Sequence, residues 1–425
     1  MFVFHRFFIE KESFKCQKLC LTRFMKVNIF SWFGLTVKRF SLILLIETYK
    51  GDIRMSPNLS IKQINRNQIY RYIYKNKKVS QQEICSDLAL SMPTVNQNLS
   101  VLREMGLIEE QGTFESTGGR KAKAICCVAD ARLSMGIDIT NNHVSLVAID
   151  MEANVLHYNR IRHRYVDSIF YYTTLGKLIR SFMQRNRIDQ DKILGLGISL
   201  PAVVSEDHKT VHYGKAMRLP ENLYERLAPH IPLPFLLFND ANSGGFAQWW
   251  DSEQDNAILY LSLNSCVGGA IVRNHQVYRG DNQKSCEFGH ITLVPDGAPC
   301  FCGQKGCLNA YCSANRLSDL AGGKMSLFFD GVREGREPYV SAFREYMEYL
   351  SMAVNNLRMC YDCDIVLGGY VGSYMTDYLR EFRHMVAKRN PFVEPQPYIF
   401  TCKYKFETAA IGAALHYVDR FIRCI

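Results

Sequence analysis

Four side chains within a short span can hold one metal ion: His290, Cys300, Cys302 and Cys307, in the stretch CEFGHITLVPDGAPCFCGQKGCLN that runs from Cys286 to Asn309. Three thiolates and one imidazole complete the four-coordinate shell of zinc. They leave no open position for water, so the expected role is structural. Gly303 and Gly306 let the chain turn tightly enough to bring Cys302 and Cys307 to one ion. The pattern C-x-C-G-x-x-G-C, placed just after G-H, is more specific than a lone C-x-x-C.

Such a loop needs a folded domain to hold it, and the surrounding sequence alternates strands with helices. Met135–Thr140 and Val144–Asp150 read as strands joined by a turn at Asn141-Asn142. Leu194–Ile198, Phe235–Asp240, Ala257–Leu263 and Ile365–Gly369 read as further apolar strands, and Ser341–Leu357 as a long helix. Asp240 stands where it can cap a helix from Ala241 to Trp250. Periodicity alone gives an α/β class for residues 133–425.

A smaller module precedes it over residues 61–128. Ile61–Tyr74 reads as an amphipathic helix with Ile61, Ile64, Ile69 and Ile73 as its apolar positions. Ser80 and Glu83 form a capping box for a short second helix. Ser91 caps a third, with Pro93 in its first turn and Gly106 as its stop. Val95, Leu99 and Leu102 share one face of that helix, leaving Thr94, Asn96, Gln97 and Ser100 on the others. Two short helices, a tight turn and a polar outer face make a helix-turn-helix, whose second helix enters the major groove. Asn96 and Gln97 suit adenine, and Thr94 suits a phosphate or a thymine methyl. Leu107–Glu110 and Ala122–Val128 then read as a β-hairpin wing. Arg120, Lys121 and the nearby Lys123 are placed to meet a phosphate backbone or a narrow minor groove.

The charge distribution agrees. Residues 1–54 carry ten basic and four acidic residues, residues 55–132 eleven and seven, and the remainder thirty of each, so the whole excess of +10 precedes the large domain. That is the footprint of a polyanion partner. Residues 1–54 show no clear periodicity, and Lys38-Arg39 splits their apolar runs well short of a membrane span. This segment is read as a disordered extension or a mis-assigned start. The chain has fifteen cysteines but nothing resembling a secretory signal, so reduced thiols and a cytoplasmic location without membrane attachment are expected.

From about Asn65 to about Tyr417 the chain resembles the ROK family (repressors, open reading frames and sugar kinases). The likeness rests on E-x-G-H at Glu287–His290 before the cysteine loop. It rests also on S-x-P-T-V, L-x-x-x-G-L-I-E-E and S-T-G-G-R in the smaller module, where Lys121 stands in place of the usual proline. The resemblance implies a winged helix-turn-helix followed by an actin-like (ribonuclease H-like) two-lobed sugar-kinase fold. By the same resemblance Asp240 takes the position of the kinases' general base and Asn239 holds the sugar. Glu287 accepts from two sugar hydroxyls, and His290 ligates zinc while turning its other nitrogen to the sugar. Asn309 stands where the family has a glutamate, and Ala202 where it has a glycine. Thr140 and Asn141 replace glycines of the first phosphate loop, and in the second only Gly268 and Gly269 remain, with Asn264 and Cys266 beside them. Side chains there crowd a phosphate, which argues against ATP binding and catalysis. The expectation is therefore a DNA-binding repressor of carbohydrate genes with a structural zinc and a sugar or sugar phosphate as effector. A homodimer or homotetramer on an inverted-repeat operator is expected with it. An ATP-dependent sugar kinase is the alternative.

Overall fold

The structure is a computed structural model that describes residues 61–114, 123–250, 256–274, 276–404 and 407–425. The extension at 1–54 and the wing residues Arg120 and Lys121 lie outside the described residues. The N-terminal module begins with α1 (Ile61–Asn76), α2 (Gln81–Asp87) and α3 (Met92–Glu104). Ser80 caps α2 as read: its Oγ accepts from the Glu83 N–H at 3.2 Å, and the Glu83 carboxylate accepts from the Ser80 N–H at 2.6 Å. Ser91 caps α3, and Gly106 takes the left-handed conformation just past its end, with φ of 68°. Strands β1 (Ile108–Thr113) and β2 (Lys123–Cys127) then pair antiparallel, with Ile108 opposite Cys127, as the base of the wing.

One expectation in α1 fails. Ile69 and Ile73 are buried, together with Tyr70, but Ile61 is 76% and Ile64 38% exposed. At about 100° per residue, Ile64 lies nearly opposite the Ile69–Tyr70–Ile73 stripe, so it cannot share that core. A four-isoleucine count looked amphipathic, but the helix buries only its second half.

The large domain is built from two five-stranded sheets of the same pattern. In the first, β3 (Leu133–Ile139), β4 (His143–Asp150) and β5 (Val155–Arg162) form an antiparallel meander. Helix α4 (Ile169–Arg185) follows, then β6 (Ile193–Leu200), parallel to β3. The short strands β7 (Val203–Val204) and β8 (Val211–Tyr213) pair with each other, and β9 (Phe235–Asn239) adds parallel to β6. The first sheet thus runs β5-β4-β3-β6-β9. Helix α5 (Asp240–Trp250) leads to the second sheet, which holds β10 (Ile258–Leu263), β11 (Val267–Arg273) and β12 (Gln276–Val277). After α6 (Leu308–Cys312) and the long α7 (Tyr339–Tyr361) come β13 (Asp364–Gly368), α8 (Gly369–Gly372) and β14 (Ile399–Thr401). The order β12-β11-β10-β13-β14 repeats the meander-then-parallel plan of the first sheet.

The last helix, α9 (Thr408–Cys424), packs against α5 and against β3 and β6. Close approach is required there. A Cβ at Gly136 would overlap the Ala410 carbonyl, and one at Gly412 would overlap that of Ser243. The cores of the N-terminal module and of the α5–α9 layer form one continuous apolar cluster, from Ile69 and Tyr70 to Phe246 and Val418. Among the described residues, no helix is long and apolar enough to cross a membrane.

Candidate functional site

The cleft between the lobes takes two carboxylates, Asp138 and Asp240, from strand ends and a third, Glu287, from the loop after β12. Strand β9 ends at Asn239, and α5 starts at Asp240. The helix cap is Asn239 and not Asp240: the Asn239 Oδ1 accepts from the Asn242 N–H at 2.8 Å, while its Nδ2 donates to the Ala202 carbonyl at 3.0 Å. The Asp240 carboxylate accepts only the adjacent Ala241 N–H, at 2.9 Å, among its described hydrogen bonds. Relieved of capping, it faces the cleft with Asp138, from β3, and Glu287. Burial pushes Asp240 up to about 8, with Asp138 as the next cause and Glu287 a smaller one. Burial likewise raises Asp138 to about 6, although the Ser199 hydroxyl donates to it at 3.1 Å, and it raises Glu287. Three protonatable carboxyls around one polar cleft can exchange hydrogen bonds with the hydroxyls of a polyol.

Glu287, Asn239 and Asn242 also line a small pocket whose floor is formed by His208, Arg279 and His416. The His208 Nδ1 lies 2.8 Å from the Leu237 carbonyl and its Nε2 3.1 Å from the Arg279 guanidinium. Donation to the carbonyl at one nitrogen and acceptance from arginine at the other require the neutral ring. Burial agrees, pushing His208 down to about 3. Asn309, on α6, is buried, and its Oδ1 accepts from the N–H of Val267, the first residue of β11, at 2.7 Å. Its carbonyl therefore fixes the loop before β11, leaving the amide nitrogen as the end that can meet a ligand.

The metal-type residues come together as the spacing predicts. One ligand atom from each of His290, Cys300, Cys302 and Cys307 lies within 4.8 Å of the others. Cys302 Sγ and Cys307 Sγ are 3.8 Å apart, and Cys300 Sγ is 3.8 Å from His290 Nδ1. A tetrahedron with metal–sulfur bonds of about 2.3 Å has edges of about 3.8 Å, so the cluster has the size of a four-coordinate site. The turn depends on Gly303 and Gly306, at φ of 98° and 77°. Burial lowers the His290 pKa and so favours the neutral imidazole that a metal requires.

On α3, Asn96, Gln97 and Ser100 are exposed, while Val95, Leu99 and Leu102 are buried, as read. Thr94 is half-buried, its hydroxyl 2.8 Å from that of Ser91. Lys123, at the base of the wing, pairs with Glu110 at 2.6 Å.

Sequence reasoning missed a contact across the cleft. The Arg160 guanidinium, on β5, donates to the hydroxyl of Tyr370, on α8, and lies 4.8 Å from the centre of its ring. The Tyr370 N–H in turn donates to Asn264 Oδ1 at 2.9 Å. The Thr140 hydroxyl accepts from the His143 N–H at 3.1 Å and closes the β3–β4 turn. Arg160 and Tyr370 stand 210 positions apart, so no local signal could have paired them.

Comparison with known proteins gives the same two-part picture. The ROK family model matches residues 134–419, and a winged helix-turn-helix DNA-binding model matches residues 63–109. The xylose repressor of Bacillus spizizenii is 25% identical over 345 residues, covering 80% of this chain and 85% of that protein. The DNA-binding transcriptional dual regulator NagC of Escherichia coli K12 is 26% identical over 262 residues, covering 58% of this chain and 62% of that one. Among solved structures, a ROK family transcriptional regulator homologous to the E. coli MLC protein superposes with a TM-score of 0.70 at 18% identity, covering 85% of this chain and 97% of its own. A ROK family glucokinase from Streptomyces griseus superposes at 0.56 with 21% identity, over 67% of this chain and 98% of its own.

Proposed function

The chain belongs to the ROK family, and from that membership we propose that it is a sugar-responsive transcriptional repressor. The observation that carries the reading is a winged helix-turn-helix, with exposed Asn96 and Gln97 on its third helix, built into the same apolar cluster as a sugar-kinase-like domain. Thr94, Asn96 and Gln97 meet bases or phosphates in the major groove, and Arg120, Lys121 and Lys123 meet the backbone beside it. Two modules on an inverted-repeat operator follow from a homodimer or homotetramer. The effector is a sugar or sugar phosphate. It is held by Asp240, Glu287 and His290, with the remaining donor of Asn309, and Asn239 sets the edge of the site while it caps α5. Carbohydrate genes are the regulated class, and the cytoplasm is the site of action.

His290, Cys300, Cys302 and Cys307 would hold a zinc ion, which supplies no chemistry beyond holding the loop. His290 thereby stays fixed beside Glu287. ATP turnover is not part of this reading. Thr140 closes its own turn, Asn264 is engaged by Tyr370, and Arg160 of the first sheet's β5 reaches the Tyr370 hydroxyl. The retained Asp240 is what favours the kinase alternative. Release of ADP in the presence of ATP and any hexose, abolished by Asp240→Asn, would establish it.

The test is a mobility shift of the full chain on DNA from upstream of its own and neighbouring genes. It is run with and without xylose, glucose, N-acetylglucosamine and their phosphates. Specific binding released by one compound is the expected result. Binding that none of them alters would reassign the cleft to another effector.

A further inference from the structure

We infer that the DNA-binding module is fastened to the two helices that join the lobes, and that Tyr74, Trp250, Arg71 and Asp419 are the positioning residues through which sugar occupancy changes DNA affinity. The inference rests on the sugar-responsive reading above. Helix α5 begins at Asp240 in the cleft and ends at Trp250, whose indole N–H donates to the Tyr74 hydroxyl on α1 at 3.0 Å. The two rings meet edge to face, with centroids 6.0 Å apart. One helix of about 16 Å thus has its first residue in the effector site and its last on the DNA-binding module.

Helix α9 makes the second connection. It lies on β3 and β6 of one lobe and on α5, which itself packs against β10 and β11 of the other. At Gly412 the backbones of α5 and α9 meet directly at the Ser243 carbonyl, and one turn on Phe246 of α5 stacks on His416 of α9 with centroids 4.4 Å apart, so a shift of one helix is passed to the other. At its far end, Asp419 pairs with Arg71 on α1 at 3.5 Å and with Arg423 at 2.6 Å, and the Ile422 carbonyl accepts from the Asn67 side chain. Asn67, Arg71 and Tyr74 recur at helical spacing on one stripe of α1. That stripe is separate from the buried Ile69, Tyr70 and Ile73, which lie in the apolar cluster that the module shares with the α5–α9 layer. The module therefore meets the large domain through polar contacts on one stripe of α1 as well as through the shared apolar cluster.

The Asp419 carboxylate is only 11% exposed yet has two cationic partners, one on α1 and one on its own helix. It can release Arg71 without being left as an unpaired buried charge. The junction can therefore open without the cost of an isolated buried charge, which a coupling element requires. A sugar that draws Asp240 and Glu287 together moves α5 relative to the first lobe. The Trp250 contact with α1 then shifts, and through α9 the Asp419 contact shifts with it.

The experiment uses the full chain with Tyr74→Phe and Asp419→Asn combined, and Trp250→Phe as a single, milder variant that keeps an aromatic ring. Three quantities are read with the sugar panel above: melting temperature, sugar affinity by calorimetry without DNA, and DNA affinity with and without sugar. Expected are melting within a few degrees of the unsubstituted chain, sugar affinity within about threefold, and at least a fivefold smaller sugar effect on DNA affinity. Trp250→Phe should show the same loss in part. An unchanged sugar effect in a folded double variant refutes the coupling role, as does its retention in Trp250→Phe should the double variant fail to fold. If no sugar alters DNA binding by the unsubstituted chain, the sensing reading falls first and the coupling falls with it.

Discussion

Replacing Asp240 by asparagine should make this protein more stable and less responsive, and the gain should depend on pH in a set direction. An aspartate in the unfolded chain ionises near pH 3.9. In the cleft, burial with Asp138 behind it pushes Asp240 up to about 8. The folded state therefore keeps a proton that the unfolded chain has lost between about pH 4 and pH 8. Stability is highest below that window and falls as pH rises through it. A separation of about 4 pH units at about 1.4 kcal/mol each sets a ceiling of about 5 kcal/mol at pH 8. Partial solvation of the cleft and the shared titration with Asp138 and Glu287 reduce it to about 2–4 kcal/mol. Asparagine matches the shape, keeps an oxygen for the Ala241 N–H, and leaves the cap intact because Asn239 provides it. Asp240→Asn should thus gain about 2–4 kcal/mol at pH 8 and nothing at pH 4. For a unit of this size that is a rise in melting temperature of a few degrees at the alkaline end. Calorimetric melts of both proteins from pH 4 to pH 8 read it directly, and sugar binding should fall at least tenfold at pH 7. A difference in melting temperature that stays constant across the pH range, or a variant less stable at pH 8, would refute the reasoning.

Cys302→Ser should lower bound zinc from about one per chain and reduce the melting temperature of the large domain; equal metal content by elemental analysis sinks the metal assignment. Ser80→Ala removes the hydroxyl that accepts from Glu83 and should cost about 1 kcal/mol in chemical denaturation. Gln97→Ala should weaken specific DNA binding by about 1–3 kcal/mol while sparing nonspecific binding, measured by competition titration. Arg120→Ala should reduce the salt slope of DNA binding by about one, and an unchanged slope would remove its phosphate contact.

Local signals carried a large part of this protein. The Ser80–Glu83 capping box, the Ser91 cap and the Gly106 stop depend on residues within a few positions of each other, and each forms as its spacing indicates. The same holds for the cysteine loop, where Gly303 and Gly306 bend a short segment until four ligand atoms converge. The alternation of strands and helices was also readable, because buried strands of parallel sheets are apolar throughout. The first half of α1 was misread, since counting isoleucines does not say which arc of a helix meets a partner.

What only the tertiary structure decided was which of two neighbouring polar residues does which task. From the sequence, Asp240 could be a helix cap or a ligand contact. Folding places the Asn239 side-chain Oδ1 on the Asn242 N–H, takes the capping role from Asp240 and leaves that carboxyl in the cleft beside Asp138. Tertiary structure also set Arg160 against Tyr370 and Trp250 against Tyr74, pairs separated by 210 and 176 positions. Such contacts have no periodicity and no local spacing. They exist because two lobes and a DNA-binding module close on one another, and the free energy of that closure belongs to the packed helices between them, not to any single stretch of chain.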